Sequence, residues 1–215
     1  MPGGKLVPLA MVMAMIALAV AAASMSVAVY WGRWWEAGIA LAVLGGIIPM
    51  IQAVSIRVMP VFSHRSWPAP KRLGVQVALS ATGSWLVWAG IVAEWPGVVQ
   101  WGGIVALCGG LTMMANVVAL VRQPVSGILV PEGDVQQVAA DRSGRRFTQL
   151  AGMYLMLGLV VGVMRSFWTP GAGRWELVWA HSLLVGFFLS MAAGVSYHVL
   201  SRWTGKQWTH ADRMA

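Results

Sequence analysis

Cysteine and charged residues are scarce in this chain. One cysteine, Cys108, and seven acidic residues occur among 215 residues, and charged residues make up 10% of the total. A single cysteine excludes a disulfide scaffold and a metal site built from several thiolates. The low charge, together with 58% hydrophobic residues and a mean hydropathy of +0.70, excludes an ordinary soluble domain and predicts an integral membrane protein.

Carboxylates are missing from the middle of the long apolar runs, since Glu36, Glu94 and Glu176 all lie at the ends of runs. Ion-coupled transporters usually place an acidic or basic side chain near the membrane midplane, so a small transporter is the least favoured function. The polar residues inside the runs are uncharged. We predict that they hydrogen-bond between helices, and they are Gln52, Gln76, Thr82, Ser84, Thr112 and Asn116.

The apolar runs predict the fold class, an all-α bundle of six transmembrane helices that forms a single domain, residues 1–215. The first run is longer than the core of a signal peptide, which has about 7–15 residues, so we predict a retained span. A polar segment, residues 122–146, is predicted to be a cytoplasmic loop with a short helix at residues 135–140. The predicted spans are residues 6–30, 36–59, 73–94, 97–121, 147–166 and 176–202.

The net charge of +8 comes from basic residues that gather in alternate connections, so we predict no nucleic-acid partner. Connections rich in Lys and Arg stay in the cytoplasm, which predicts that both termini are cytoplasmic. Only Arg33, Arg165 and Arg174 fall on the outside. The predicted inside residues are Lys5, Arg57, Arg65, Lys71, Arg72, Arg122, Arg142, Arg145, Arg146, Arg202, Lys206 and Arg213.

The second and sixth runs end in similar sequence. Setting Arg57 against His198 sets Ala40 against His181, so the histidine is present only in the later run. The fourth run, with Asn116 near its end, is a candidate third copy. We therefore predict three repeated helix hairpins.

Two histidines lie in the sixth run, in a stretch without formal charge, where an ionisable side chain is costly and is a functional candidate. At ~1.5 Å and ~100° per residue, His181 and His198 are roughly 25 Å apart along the helix and point about 100° apart. They cannot ligate one metal together. The structural interpretations are an interfacial His181 bonded to a carbonyl, and a His198 that snorkels or caps a helix at the cytoplasmic boundary.

The sixth run resembles the haem-ligand helix of haem-copper oxidase and nitric-oxide reductase catalytic subunits, and the NnrS family of haem-containing membrane proteins is a suspected relative. In that helix a His-x-His pair precedes glycines and an exit with Pro, Arg or Lys, and Gly. His181 takes the place of the second histidine, Trp179 that of the first and Ser201 that of the exit proline. The remaining matches are Gly186, Gly194, Tyr197, His198, Val199, Leu200, Arg202 and Gly205.

The resemblance implies a haem b protein of the bacterial inner membrane, multi-pass, in which His181 is the axial ligand. It would bind a diatomic gas, NO or O2, or relay electrons in NO or respiratory metabolism. Arg33, Arg165 and Arg174 are the outer cations that would pair with the haem propionates. The implied apolar pocket consists of Leu184, Val185 and Phe188.

Parts of that family's site are missing here. The first five runs contain no histidine, so the sixth iron ligand would be a methionine, solvent, a gas or nothing. His198 is the weaker candidate for metal ligation or a proton relay. A copper centre needs three clustered histidines within the spans, so the chain is not a complete haem-copper oxidase, and we assign no catalytic residue.

A haem-free accessory or assembly subunit of a respiratory complex is the alternative function. Gly186, Ser190 and Gly194 form a stripe of small residues, which is a packing face for another helix. In this hypothesis the stripe faces a partner subunit and His181 hydrogen-bonds across helices. Association with a second copy of the chain is also left open.

Overall fold

The computed structural model describes residues 5–28, 32–63, 65–124, 135–167 and 173–204. These ranges are helical apart from short connections, and no strand occurs in them. They contain six helices that are long and apolar enough to cross a membrane. The predicted all-α fold class with six spans is confirmed, and it fits a multi-pass membrane protein in contact with lipid.

Each predicted span corresponds to one continuous helical stretch. Two stretches contain a π-helical segment: α2 (Arg33–Leu41, π-helical Ala42–Ile47, Ile48–Ser63) and α6 (Gly173–Ala180, π-helical His181–Leu189, Ser190–Thr204). The others are α1 (Leu6–Val27), α3 (Pro70–Val92), α4 (Pro96–Val121) and α5 (Val135–Phe167). Both α3 and α4 begin at a proline, a residue suited to the first helical turn because it has no N–H to leave unpaired.

Helix α5 is longer than its predicted span. It begins at Val135, within the predicted loop of residues 122–146, where a separate short helix was predicted at residues 135–140. Within that predicted loop Gly144 is buried, and its carbonyl accepts a hydrogen bond from Thr148 Oγ1 at 2.9 Å. Gly194 of α6 comes so close that an added Cβ would lie 2.9 Å from the same carbonyl oxygen. This close packing of α6 places Gly144 against protein, which favours a helix that extends beyond the predicted span.

Consecutive helices pack as antiparallel pairs, α1 with α2, α3 with α4 and α5 with α6. Helix α2 also packs on α3, α4 packs on α5, and the two π-helical segments touch each other. In the most apolar 18-residue stretch of α2, 67% of the residues are buried, against 22% in the corresponding stretch of α1. The bundle is therefore organised around α2.

The main hydrophobic core joins α2, α3, α4, α5 and α6, and Leu155, Leu183 and Phe187 are among its most buried side chains. A smaller cluster, which includes Ile56 and Trp67, joins helices α1, α2, α3 and α4 near the end of α2. The tightest helix contact is between α3 and α4. A side chain at Gly83 would overlap the backbone of Ala106, so only glycine permits this approach.

The buried side chains of α6 recur at steps of four residues, at Trp179, Leu183, Phe187 and Met191. In a regular α-helix a four-residue step turns about 400°, so such side chains would drift by about 40° at each step. A π-helix closes i→i+5 hydrogen bonds and is wound more loosely. The segment His181–Leu189 therefore offsets the drift and keeps these four side chains toward the core.

The π-helical segment of α2 precedes a proline. Pro49 has no N–H, and in a regular α-helix its ring would collide with the carbonyl of Gly45, four residues earlier. The wider turn at Ala42–Ile47 relieves that collision. Since α2 is buried on several faces, with Leu41 and Val43 buried next to Ala40 and Leu44, its buried residues do not form a single series at four-residue steps as those of α6 do.

The last turn of α2 contains a second proline. Pro60 cannot donate to the carbonyl of Ile56, which an α-helix would otherwise pair with residue 60. Trp67 Nε1 donates to that carbonyl at 2.8 Å and is itself buried. The tryptophan replaces the missing backbone hydrogen bond and ties the connection to α3 back onto α2.

The two ends of the bundle differ in charge. At the mixed end, where α2, α4 and α6 begin, Arg33 forms an ion pair with Glu94 and Arg165 forms one with Glu36. At the basic end, where α3 and α5 begin, the described side chains include no Asp or Glu. The described cations of the basic end are Lys5, Arg57, Arg65, Lys71, Arg72, Arg122, Arg145 and Arg146.

Candidate functional site

His181 is the first residue of the π-helical segment of α6, and its side chain is exposed on the side of the bundle. Its Nδ1 lies 2.9 Å from the carbonyl oxygen of Leu177, one turn earlier. A carbonyl only accepts hydrogen bonds, so Nδ1 carries the proton in this contact. In the neutral ring the lone pair is then on Nε2, the tautomer suited to metal binding.

A groove of about 550 Å³ lies beside His181, between α5 and α6, and opens toward the side of the bundle. Leu150 and Tyr154 line it from α5, and Leu177, Val178 and Val185 line it from α6. Most of its wall is therefore apolar. The polar side chains that line it are those of Tyr154, His181, Ser182 and Ser190.

Tyr154 was not among the predicted site residues. Its ring lies directly on Gly186, where any side chain on α6 would overlap it. The sequence carried a signal for this contact, because Tyr154 is an aromatic residue with a hydroxyl in the middle of an apolar run, and Gly186 is a small residue on the neighbouring helix. What it did not show was which faces of the two helices meet.

The three residues of the implied apolar pocket lie in different surroundings. Val185 lines the groove next to His181 and is 52% exposed. Phe188 is 40% exposed on the outside of the bundle. Leu184 packs against the main core. The structure thus brings Val185, rather than all three residues, to the histidine.

The predicted outer cations have carboxylate partners in this structure. Arg33 is paired with Glu94 and Arg165 with Glu36. Arg174 is in the first turn of α6, and His198 is near its end, but the side chains of both lie outside the described residues. Within the described ranges, His, Cys, Asp and Glu side chains nowhere gather in a group of three that could hold a metal ion.

The stripe of small residues is used inside the α5–α6 hairpin. Gly186 packs against Tyr154, and Gly194 packs against Gly144 and Thr148. The prediction of a packing face for a neighbouring helix is confirmed, and that neighbour is α5. The two glycines are buried by this contact and do not face outward, whereas Ser190, the third residue of the stripe, lines the groove beside His181.

A buried polar network joins α2, α3 and α4. Gln52 Nε2 donates to Ser80 Oγ at 3.0 Å, and Asn116 Nδ2 donates to Gln76 Oε1 at 3.0 Å. The predicted interhelical hydrogen bonding of Gln52, Gln76 and Asn116 is confirmed. Of the other residues predicted for this role, Ser84 and Thr112 bond to carbonyls of their own helices and Thr82 is exposed.

Comparison with known proteins adds no constraint on the site. No family model, no curated protein and no solved structure matches this chain.

Proposed function

We propose that the protein binds haem b in the groove beside His181 and uses it to bind a diatomic gas, NO or O2, or to relay electrons. The observation that carries the proposal is the contact of His181 Nδ1 with the carbonyl of Leu177. Axial histidines need Nε2 unprotonated and the ring held in one orientation, and a backbone carbonyl at Nδ1 supplies both. The resemblance of the sixth helix to the haem-ligand helix of haem-copper oxidases and nitric-oxide reductases supports the same assignment.

Two parts of the groove would hold the cofactor. His181 Nε2 would ligate the iron, and Val185 with Tyr154 would contact the ring from α6 and α5. A haem bound there supplies an iron that takes up a gas or an electron. The phenol of Tyr154 provides a hydrogen-bond donor on the α5 side of the groove.

The propionates would bind two arginines that already have carboxylate partners. Arg33 and Arg165 would have to share their guanidinium groups between the propionates and the carboxylates of Glu94 and Glu36. An arginine has five N–H donors in a planar fork, so two acceptors can be accommodated.

The proposed membrane is the bacterial inner membrane, with both termini and the basic end on the cytoplasmic side. The concentration of Lys and Arg at that end supports this orientation. The three-hairpin repeat remains a proposal as well. The alignment that sets Arg57 against His198 places Gly45 opposite Gly186, and both glycines lie in π-helical segments, which supports a common origin of α2 and α6.

Visible spectroscopy of the purified protein tests the function directly. We expect a Soret band that shifts on dithionite reduction and is lost in His181→Ala, while His210→Ala, in the tail, keeps it. A further shift with CO or NO marks an open iron position. A wild-type protein without a Soret band after expression with added haem contradicts the proposal, as does loss of the band in His198→Ala but not in His181→Ala.

The alternative function, a haem-free accessory subunit, predicts a different outcome of the same preparation. The protein is then colourless and co-purifies with a respiratory oxidase or NO reductase. Because Gly186 and Gly194 are buried against α5, contact with such a complex would use the exposed apolar sides of α5 and α6, where Met153 is 71% and Leu177 61% exposed.

A further inference from the structure

Two donors at the basic end are buried without a hydrogen-bond partner among the described residues. They are Ser63 Oγ, in the last turn of α2, and Arg65 Nε, two residues further along the connection to α3. Buried polar groups in native proteins are nearly always paired, because an unpaired donor loses the hydrogen bond that water supplies in the unfolded chain. Because the two donors are only two residues apart in the chain, we consider an acceptor that comes from outside the described residues.

The chain at Arg65 and Trp67 is held in place by hydrogen bonds to the end of α2. Arg65 N donates to the carbonyl of Pro60 at 3.2 Å. Trp67, 7% exposed, is fixed by its hydrogen bond to Ile56 O and by the cluster around Ile56. The guanidinium of Arg65 therefore extends from an anchored backbone, and part of the entropic cost of binding a ligand has already been met in folding.

The charge around the connection favours an anion. Lys71 and Arg72 are exposed in the first turn of α3, which starts at Pro70, and the N-terminal end of a helix carries a partial positive charge. The described carboxylates, Glu36 and Glu94, lie at the opposite end of the bundle. An acceptor that satisfies Arg65 here is expected to be a ligand oxygen with negative charge.

We propose that Ser63 and Arg65 bind the phosphate of an anionic phospholipid headgroup, with Lys71 and Arg72 adding charge. Phosphate matches the donor fork of arginine and also accepts a hydrogen bond from a hydroxyl. The site lies where the apolar span of α2 ends and that of α3 begins, which is the depth of headgroups in a bilayer. Free inorganic phosphate has the same chemistry but would not be held at that depth by acyl chains.

Lipid binding to the purified full-length protein tests the proposal. Native mass spectrometry or tryptophan quenching by labelled lipid would compare phosphatidylglycerol with phosphatidylcholine in wild type and in Arg65→Gln. We expect wild type to prefer phosphatidylglycerol, and Arg65→Gln to lower that affinity roughly tenfold or more, since hydrogen bonds to charged groups contribute about 1.5–3 kcal/mol. Ser63→Ala should give a smaller loss in the same direction.

The matched control is Arg122→Gln, which removes an exposed arginine from the same end of the bundle. It should change phosphatidylglycerol affinity less than twofold. Equal losses in Arg65→Gln and Arg122→Gln would show a general surface-charge effect and overturn the proposal. Competition by millimolar inorganic phosphate would assign the site to free phosphate instead of lipid. Thermal unfolding of each variant confirms that the comparison is made on folded protein.

The proposal does not depend on haem. His181 belongs to the first half of α6, which starts at the mixed end, whereas Ser63 and Arg65 are at the basic end. A colourless protein would leave the lipid measurement unchanged, so the two proposals fail separately.

Discussion

Helices α2 and α6 share a winding defect but lie in different surroundings. Each begins as an α-helix and becomes π-helical, and the two π-helical segments touch. Most of the apolar window of α2 is enclosed by other helices, whereas α6 has one buried face and one exposed face, on which His181 lies. In α2 the defect has a local cause, Pro49. In α6 no proline follows, and the cause is the four-residue spacing of the core side chains.

The difference shows how a helix with one exposed face can present a candidate iron-ligating residue. A helix enclosed on all sides offers no surface to a cofactor, and its irregular turn serves packing alone. In α6 the looser winding keeps Leu183 and Phe187 in the core while His181 and Val185 stay on the groove. π-Helical turns occur frequently at functional sites, which agrees with this division of roles.

Substitution of neighbouring aromatic residues gives the largest expected effect. Phe187 is fully buried and Phe188 is 40% exposed. Phe187→Ala removes packing that lipid cannot replace, and we expect it to lower the free energy of unfolding by about 2–4 kcal/mol. Phe188→Ala should cost less than about 1 kcal/mol because lipid chains contact the shortened side chain. Thermal unfolding or steric trapping in detergent measures both.

On α2 the same test should show that substitution of either of two consecutive residues destabilises the protein. Val43 and Leu44 are also consecutive, and both are buried. Val43→Ala and Leu44→Ala should each destabilise the protein, by about 1–3 kcal/mol. If one of these substitutions leaves the free energy of unfolding unchanged, α2 has an exposed face like α6 and the comparison fails.

The end of α2 offers an effect of similar size together with a built-in control. Trp67→Phe leaves the Ile56 carbonyl without its donor and should cost about 1–3 kcal/mol. Pro60→Ala restores a backbone N–H that can serve the same carbonyl. Trp67→Phe should therefore cost at least about 1 kcal/mol less in the Pro60→Ala background, as measured in a double-mutant cycle. Equal costs in both backgrounds would mean that the tryptophan stabilises by packing alone.

The number and type of the helices could be predicted from the sequence, because uninterrupted apolar runs of the right length have few alternatives in a membrane. A short helix at residues 135–140 was also predicted, but its continuity with α5 was not, since that depends on the packing of Gly194 near Gly144. The π-helical segments were also missed, although the proline and the four-residue spacing were visible. Only the packing shows which of several apolar faces is the buried one.

The candidate site was predictable in its histidine and not in its surroundings. An uncharged run made His181 conspicuous, yet nothing in one sequence fixes which way a helix is rotated. The pairing of Arg33 and Arg165 with carboxylates, and the position of Tyr154, depend on contacts between helices distant in sequence. Such contacts leave no periodic pattern in a single chain.

The smallest expected effect concerns how the start of α2 is tied to its neighbours at the mixed end. Glu94 pairs with Arg33 from a backbone with φ of 58°, the left-handed region, just after α3. Exposed ion pairs contribute up to about 1 kcal/mol, whereas a non-glycine residue in that region costs about 1–2 kcal/mol. Glu94→Gln should therefore destabilise slightly and lose that effect at high salt. Glu94→Gly should be up to about 1 kcal/mol more stable than Glu94→Gln, because glycine relieves the strain at some cost in chain entropy. If Glu94→Gly is the less stable variant in thermal unfolding at low and high salt, the left-handed strain at this position is smaller than the entropic cost of glycine.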